Sequence, residues 1–225
     1  MATTSKKTPA SRRVRVARPD GAATRQHLLE IAGQVFAERG FADTTSKAIC
    51  ERARTPMASV NYHFGSREGL YEAALVEAHQ QIMALEELAL VAAQATDPNQ
   101  KLRAVLARIV SLATSSKRPW GFMLMLREML SPSSAIPALV EKAVRPKAAF
   151  MVALVADVLG LRKDDAVVQR AVLFAVLPCI AMMIAPRQLR ATILPAADSD
   201  QNGLVEDYVS FVLAGLDALA VAHRP

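Results

Sequence analysis

Apolar residues recur through this chain at intervals of three and four, and no alternation of apolar and polar residues extends beyond a few positions. The first spacing places side chains on one face of an α-helix, whereas a half-buried strand requires the second. Aromatic residues make up only 5% of the chain, so its apolar content of 52% is mostly alanine, leucine, valine and methionine. These residues favour helices over sheets. The sequence therefore predicts an all-α fold.

Capping and breaking residues divide the chain into helices. Thr24 is predicted to cap the first helix and Gly40 to end it. Thr55 is predicted to cap the third helix, with Pro56 in its first turn, and Ser66 to cap the fourth. The pattern predicts helices over residues 25–39, 45–52, 56–62, 67–93, 98–115, 119–131, 135–145, 147–159, 164–185 and 204–222.

The net charge of +6 lies entirely in the first 25 residues. This segment holds seven basic side chains and one acidic one, and the following 200 residues hold 20 of each sign. A basic arm on a neutral body fits an electrostatic contact with a polyanion, and it fits equally a solvated, disordered leader. Residues 1–23 are therefore expected to form a flexible basic arm.

Two short helices separated by a tight turn follow the first helix, an order typical of a helix-turn-helix. The second helix of such a pair fits the major groove of DNA. Residues 40–75, GFADTTSKAICERARTPMASVNYHFGSREGLYEAAL, resemble the DNA-binding region of the TetR family of repressors. The positions in register with that family are Thr44, Thr45, Ile49, Ala53, Val60, Asn61, Tyr62, His63, Phe64, Arg67, Glu68 and Leu70.

The sequence departs from the family pattern in the turn between the two helices. Arg54 stands at the position of the family's turn glycine, followed by Thr55 and Pro56 in place of a hydrophobic and a small polar residue. A positive φ at Arg54 would cost about 1 kcal/mol relative to glycine. A contact between its guanidinium and a DNA phosphate would offset that cost. Cys50 replaces the usual alanine in a position expected to be buried.

The resemblance implies a set of DNA contacts. Lys47 matches a family position that reaches base edges, and its ammonium suits the acceptor pair of guanine. Met57 and Ala58 suit contact with a thymine methyl group, while short polar side chains suit phosphates. Tyr62 and His63 also fit a role in packing the domain. The DNA-binding candidates are Thr45, Ser46, Lys47, Arg54, Thr55, Met57, Ala58, Ser59, Asn61, Tyr62, His63 and Arg67.

Residues 118–150, RPWGFMLMLREMLSPSSAIPALVEKAVRPKAAF, resemble the CecR-like subgroup of this family. The family joins its DNA-binding region to a variable helical domain that binds a small molecule and dimerises. The aromatic and methionine side chains here suit an adaptable apolar pocket, although most of them suit a packed core equally well. Either one of Arg127 and Glu128 is expected to enter the pocket and orient a ligand, or the two are expected to form a surface ion pair. The ligand-binding candidates are Trp120, Phe122, Met123, Leu126, Arg127, Phe150, Phe174 and Met182.

The last two predicted helices, 164–185 and 204–222, are apolar on too many faces for the surface of a monomer. Pairing with a second copy would bury them in a four-helix arrangement, as in the family. The resemblance thus divides the chain into the arm, a helix-turn-helix domain over residues 24–71 and a ligand-binding and dimerisation domain over residues 72–225. It implies a homodimer on a double-stranded, pseudo-palindromic DNA operator.

The function expected from these features is that of a repressor that a small apolar effector releases from its operator. Whether the effector causes release or binding depends on the conformer that it prefers. An enzyme is the main alternative, but the four histidines form no metal-ligand spacing and no phosphate loop, nucleophile elbow or dinucleotide fingerprint is present. No cofactor or metal is therefore expected. An architectural DNA-binding protein without an effector is the second alternative.

Cysteine content and hydropathy bear on location. Cys50 and Cys179 are far apart and predict no disulfide framework, which fits a reducing cytoplasm. The longest uncharged apolar run, residues 171–185, is 15 residues long. A membrane-spanning helix needs about 20. This run is expected to form a buried or dimer-forming helix, and no membrane role is predicted.

Overall fold

The computed structural model describes residues 19–115, 118–185, 187–196 and 199–223. Within these ranges every regular element is a helix, which confirms the predicted all-α fold. The elements are α1 (Pro19–Arg39), α2 (Ser46–Ala53), α3 (Ala58–Phe64), α4 (Arg67–Ile82), α5 (Leu85–Ala93), α6 (Pro98–Thr114), α7 (Trp120–Leu130), α8 (Ile136–Leu139), a π-helical turn (Val140–Val144), α9 (Arg145–Leu159), α10 (Ala166–Ile184), α11 (Arg187–Ile193) and α12 (Gln201–Ala222). Most of the predicted arm, residues 1–18, lies outside the described residues.

Helices α1, α2 and α3, called the head below, follow from local capping signals. The Thr45 hydroxyl accepts a hydrogen bond from the main-chain N–H of Ala48 at 3.2 Å and so caps α2. Such a cap contributes about 1 kcal/mol. Gly40 ends α1 as predicted, with φ +82° and its N–H donating to the carbonyl of Phe36 at 2.8 Å. Only glycine adopts this left-handed conformation without strain.

Two helices of the head start elsewhere than predicted. Helix α1 begins at Pro19, so the prediction that Thr24 caps it is wrong. Proline is tolerated in a first turn because no N–H is needed there, and nothing between it and Thr24 breaks the helix. Helix α3 begins at Ala58 instead of Pro56, because Thr55 and Pro56 belong to the connecting turn. The carbonyl of Pro56 accepts from the N–H of Ser59 at 2.9 Å.

The buried side chains form two clusters. One lies in α5, α6, α9, α10 and α12, which form most of the body (α5–α12). The other fills the head but also includes side chains of α4, α7, α8 and the π-helical turn, among them Leu70, Leu75, Leu124, Leu139 and Ala143. The head therefore shares its core with parts of the body, and α4 and α7 connect the two regions.

Helix α4 starts as predicted but ends early. The Ser66 hydroxyl accepts from the N–H of Gly69 at 3.0 Å, which caps the first turn. The helix stops at Ile82, and not near residue 93, because Met83 is extended with φ −164° and ψ 110°. Neither glycine nor proline lies at this break, so the sequence pattern did not predict it.

Pro146 does not end a helix, and the prediction of separate helices on either side of it is wrong. Helical backbone runs without a break from Ile136 to Leu159. Proline lacks an N–H, and its ring crowds the carbonyl one turn earlier. The π-helical turn immediately before α9 widens the helix there and relieves that conflict.

The chain between α10 and α12 also differs from the prediction. Helix α11 was not predicted. Gly203, which was expected to precede the last helix, lies within the first turn of α12, where its N–H donates to the Asp200 carboxylate at 3.0 Å. A Cβ atom at position 203 would meet that carboxylate, so glycine leaves room for the N-cap.

Candidate functional site

The twelve DNA-binding candidates lie along α2, the following turn, α3 and the start of α4, and none of them is buried. Lys47 projects from the first turn of α2 with its ammonium 3.9 Å from the Glu51 carboxylate. Tyr62 on α3 is 82% exposed, and Met57 immediately before α3 is 53% exposed. Exposed polar, cationic and aromatic groups on a short helix are suited to contact with DNA.

The turn between α2 and α3 has a positive φ at Arg54, the possibility considered from the sequence. Arg54 has φ 53° and ψ 42°, in the left-handed region where the family has glycine. It is the one non-glycine residue with positive φ among the described residues. Its side chain is exposed, so the guanidinium is accessible to an anion. The hydroxyl of Thr55 is buried and has no hydrogen-bond partner in the described part of the chain.

Arg67 is half-buried and joins α4 to the head. Its guanidinium donates to the main-chain oxygen of Thr44 at 2.8 Å and lies 4.2 Å from the centre of the Phe41 ring. It therefore links the start of α4 to the loop before α2. Within the head, the Glu38 carboxylate on α1 accepts two bonds from Arg52 on α2, at 2.6 and 2.8 Å.

The ligand-binding candidates on α7 turn toward the head. The indole N–H of Trp120 donates to the Glu30 carboxylate on α1 at 2.7 Å. The Arg127 guanidinium donates to the main-chain oxygens of Ala37 and Glu38 at 2.8 and 2.9 Å, at the C-terminal end of α1. Arg127 thus caps a helix of the head from the body and binds the residue that pairs with Arg52.

Glu128 forms neither a surface ion pair nor a solvent-facing site. Its side chain is 1% exposed, and one carboxylate oxygen accepts from the Tyr71 hydroxyl at 2.7 Å. The other oxygen accepts from the main-chain N–H and the hydroxyl of Ser133 at 2.9 and 2.7 Å. Burial, and then the bond to Glu128, raise the pKa of Tyr71 well above its ordinary value. The phenol is therefore a permanent donor between α4 and α7.

The remaining ligand-binding candidates do not gather around one cavity. Phe122 is buried, with Arg118 lying 4.2 Å from its ring centre, and Met123 is exposed. Leu126 is partly buried on α7. Phe150 and Met182 pack against the core of the body, whereas Trp120 packs against the core of the head. The predicted set therefore spreads over two cores and a surface.

An apolar groove lies between α10 and α12, with a volume of about 730 Å³. Phe174 on α10 is 64% exposed and Phe211 on α12 is 80% exposed. Helix α10 has the length and hydropathy of a membrane-spanning helix, and 28% of its most apolar window is buried. It is longer than the uncharged run considered in the sequence. The groove is lined by Ala171, Leu173, Phe174, Ala175, Leu177, Pro178, Phe211, Val212, Ala214, Gly215, Leu216 and Leu219.

The sequence did not predict one buried polar contact, which joins Lys147 to His79. The Lys147 ammonium lies 2.8 Å from Nδ1 of His79 and donates to the main-chain oxygen of His79 at 2.9 Å. No pattern of residues marks this pair, which joins the first turn of α9 to the last turn of α4. In the described ranges no group of three or more His, Cys, Asp or Glu residues is placed to hold a metal ion.

Two family profiles match the chain. Residues 28–74 match the profile described as bacterial regulatory proteins, tetR family. Residues 98–216, more than half of the chain, match the C-terminal domain of the HTH-type transcriptional dual regulator CecR. The HTH-type transcriptional regulator UidR of Escherichia coli K12 is 31% identical over 61 residues, which is 27% of this chain and 31% of UidR. The chain therefore aligns with less than a third of that relative.

Solved structures have the same fold over nearly their whole length. FadR of Bacillus subtilis, in complex with stearoyl-CoA, has a TM-score of 0.60 at 13% identity, covering 84% of this chain and 98% of its own. AibR, in complex with isovaleryl coenzyme A and operator DNA, has a TM-score of 0.60 at 15% identity, covering 84% and 97%. At such identities the likeness concerns the fold. The two profiles show that the chain is a transcriptional regulator of the TetR family with a CecR-type C-terminal domain, and not an enzyme.

Proposed function

We propose that this regulator is a cytoplasmic repressor that binds a pseudo-palindromic operator as a homodimer and releases it when a small apolar molecule occupies the body. The observation that carries the DNA-binding part is the exposed set of residues on α2 and α3. Lys47 and the first turn of α3 are proposed to read bases, and the short polar residues and Arg54 are proposed to contact phosphates. Tyr62, His63 and Arg67 are proposed to contact phosphates as well, and Arg67 also links α4 to the loop before α2.

The occupant proposed for the apolar groove is a second copy of this chain. Isolated exposed aromatics are ordinary on a protein surface, but a continuous apolar groove along two long helices is not. Two copies related by a twofold axis would cover each other's α10 and α12 in a four-helix arrangement. Such a dimer presents two recognition helices, which explains the proposed pseudo-palindromic operator.

The contacts of α7 support control of the head by the body. Trp120, Arg127 and Glu128 each bond to α1 or α4. A ligand that shifts α7 would therefore change how the head is held, provided that it prefers one of the two conformers. The complexes of FadR with stearoyl-CoA and of AibR with isovaleryl coenzyme A support a small-molecule effector for this fold.

Footprinting of DNA upstream of the protein's own gene tests the proposal. We expect a protected stretch with internal twofold symmetry, and a lipophilic compound that both weakens protection and raises the melting temperature. A ligand that binds only the folded state stabilises it by about 2.7 kcal/mol at a hundredfold excess over Kd. If a broad screen of lipophilic drugs, aromatic acids and acyl compounds gives no thermal shift, an effector-free DNA-binding protein becomes the better account.

A further inference from the structure

Gly33 lies in the interior of α1 and faces the start of α7. A glycine inside a helix weakens it relative to alanine, because glycine loses more backbone freedom on folding. A Cβ atom at this position would overlap the six-membered ring of the Trp120 indole. The glycine therefore allows the indole to lie directly against the main chain of α1, an arrangement called the Trp120–Gly33 contact below.

The Trp120 indole is held in this position by its neighbours. Its N–H donates to the Glu30 carboxylate at 2.7 Å, and the same oxygen accepts from the Gln34 side chain at 3.0 Å. Glu30, Gly33 and Gln34 share one face of α1, because they are three and four residues apart. Gly121, the next residue of α7, is packed so closely that a Cβ atom there would come within 2.7 Å of the α4 main chain. The start of α7 is therefore fixed between α1 and α4.

A second contact joins α7 to α1 farther along both helices. The Arg127 guanidinium donates to the main-chain oxygens of Ala37 and Glu38 at 2.8 and 2.9 Å. Trp120 and Arg127 stand seven residues apart on α7, which is about 10 Å of helix. Two contacts at this separation restrain both the position and the direction of α1 relative to α7, whereas a single contact restrains its position alone.

We infer that the Trp120–Gly33 contact sets the tilt of the head on the body, and through it the spacing of operator half-sites that the dimer accepts. This inference rests on the proposed function, since only a dimer on paired half-sites has such a spacing. One added base pair moves a half-site by roughly 3.4 Å along the DNA and turns it by about 35°. Heads held at one tilt therefore select one spacing over its neighbours, and heads that are held less firmly accept several.

Trp120 acts in this account as a positioning residue. Neither Trp120 nor Gly33 is among the exposed residues of α2 and α3 that are proposed to contact DNA. A change at the Trp120–Gly33 contact should therefore leave the base sequence read by each head unchanged and alter the accepted spacing. A general loss of folding would instead lower binding to every DNA sequence and every spacing alike.

Selection of binding sites from random DNA, with the wild-type chain and with Gly33→Ala, tests the inference. Alanine is the better helix former, so the substitution does not weaken α1 itself, and its methyl group displaces the indole. We expect the same half-site sequence in both selections. The wild-type preference for its spacing over those one base pair longer and shorter should fall by about fivefold or more, the lower end of typical coupling between two binding sites.

Gly21→Ala is the matched control. It makes the same substitution in the same helix, at a position where a Cβ atom meets nothing within 4 Å. It should keep the wild-type half-site sequence and the wild-type spacing.

The fluorescence of Trp120, the single tryptophan of the chain, shows directly whether the indole moves. In Gly33→Ala the emission should shift to longer wavelength, because the displaced indole is more exposed to water. Gly21→Ala should leave the emission unchanged. An unshifted spectrum for Gly33→Ala would mean that the added methyl group does not meet the indole, and it would overturn the inference.

The inference is also overturned if Gly33→Ala keeps the wild-type preference for one spacing. If that variant does not fold, Trp120→Phe replaces it, because the smaller ring leaves Gly33 partly uncovered and the N–H bond to Glu30 is lost. An unchanged spacing preference in Trp120→Phe would count against the inference equally. A wild-type chain that enriches no paired half-sites would contradict the proposed function, and the inference with it. Paired half-sites whose spacing no variant alters would contradict the inference alone.

Discussion

At the scale of single residues, the Lys47→Ala variant tests whether this lysine recognises a base or only adds positive charge to the DNA-binding surface. Its ammonium is exposed on α2, with one weak contact to Glu51. Lys47→Ala should relax the sequence preference at one base pair in each half-site, at a cost of about 1–3 kcal/mol each. Arg67→Ala should weaken binding to all sequences alike, because that guanidinium braces Thr44 and Phe41.

Binding-site selection with each variant measures this difference, and Lys163→Ala in the body is the control for loss of one positive charge. The control should return the wild-type consensus at nearly wild-type affinity. An unchanged consensus for Lys47→Ala would mean that the lysine contacts phosphate. A changed consensus for Arg67→Ala would mean that Arg67 takes part in base recognition.

His79 gives the protein a pH-dependent stability. Burial, and then Lys147, lower its pKa from 6.5 to about 4. Between these two pH values the imidazole is protonated in the unfolded chain and neutral in the folded chain. The free energy of unfolding should therefore fall as the pH decreases from about 6.5 to about 4, by about 3 kcal/mol in total. Urea denaturation across this range measures the change.

The matched variants separate His79 from the other titrating groups. His79→Gln removes the imidazole and should flatten the dependence between pH 4 and pH 6.5. His223→Gln, at an exposed residue after α12, should leave the dependence unchanged. Equal slopes in the wild type and His79→Gln would show that the folded state does not hold the imidazole neutral.

At the scale of elements, local chemistry determined which helices could be predicted. Thr45, Ser66 and Gly40 act through neighbours a few residues away, so the ends that they define are visible in the sequence. The end of α4 at Ile82 is not marked by any local residue. It coincides with the bond from Lys147, 68 residues away, which no periodicity encodes.

The ligand-binding candidates were harder to predict for the same reason. Residue type indicated that α7 is apolar, but not which face meets the head. Because α7 packs between α1 and α4, Trp120 and Arg127 serve as contacts to the head, and Glu128 is buried against Tyr71. Gly121 permits this packing, since a Cβ atom there would come within 2.7 Å of the Ala78 main chain.

The groove between α10 and α12 can be tested at a residue that does not belong to the core of the protomer. Phe211 is 80% exposed, so Phe211→Asp removes no core packing from a single chain. A carboxylate buried in the proposed dimer interface would cost several kcal/mol. The variant should sediment as a folded monomer at micromolar concentration and lose operator affinity.

Leu130→Asp is the control for this variant, because Leu130 is 77% exposed at the end of α7 and does not line the groove. It should remain a dimer with wild-type affinity. Analytical ultracentrifugation of both variants decides between the alternatives. A wild-type protein that is itself monomeric, or a Phe211→Asp variant that stays dimeric, would contradict the assignment of the groove to a second copy.

At the scale of the whole molecule, the head and the body share one cluster of buried side chains. The core of the head extends beyond residue 71 through Ala74, Leu75 and Ala78 on α4 and reaches Leu139 on α8. The body therefore contacts the head through packing as well as through the hydrogen bonds of α7. A dimer of such protomers would hold its two recognition helices at a separation set by the body.

Selection of binding sites from random DNA with the full wild-type chain tests the central claim, sequence-specific binding by a symmetric pair of heads. We predict enrichment of a pseudo-palindrome whose half-sites are centred about one helical turn apart, roughly 34–36 Å, or somewhat farther. Salt should weaken binding to every sequence without removing the preference for this site. Binding without an enriched sequence, or enrichment of a single unrepeated half-site, would contradict the account.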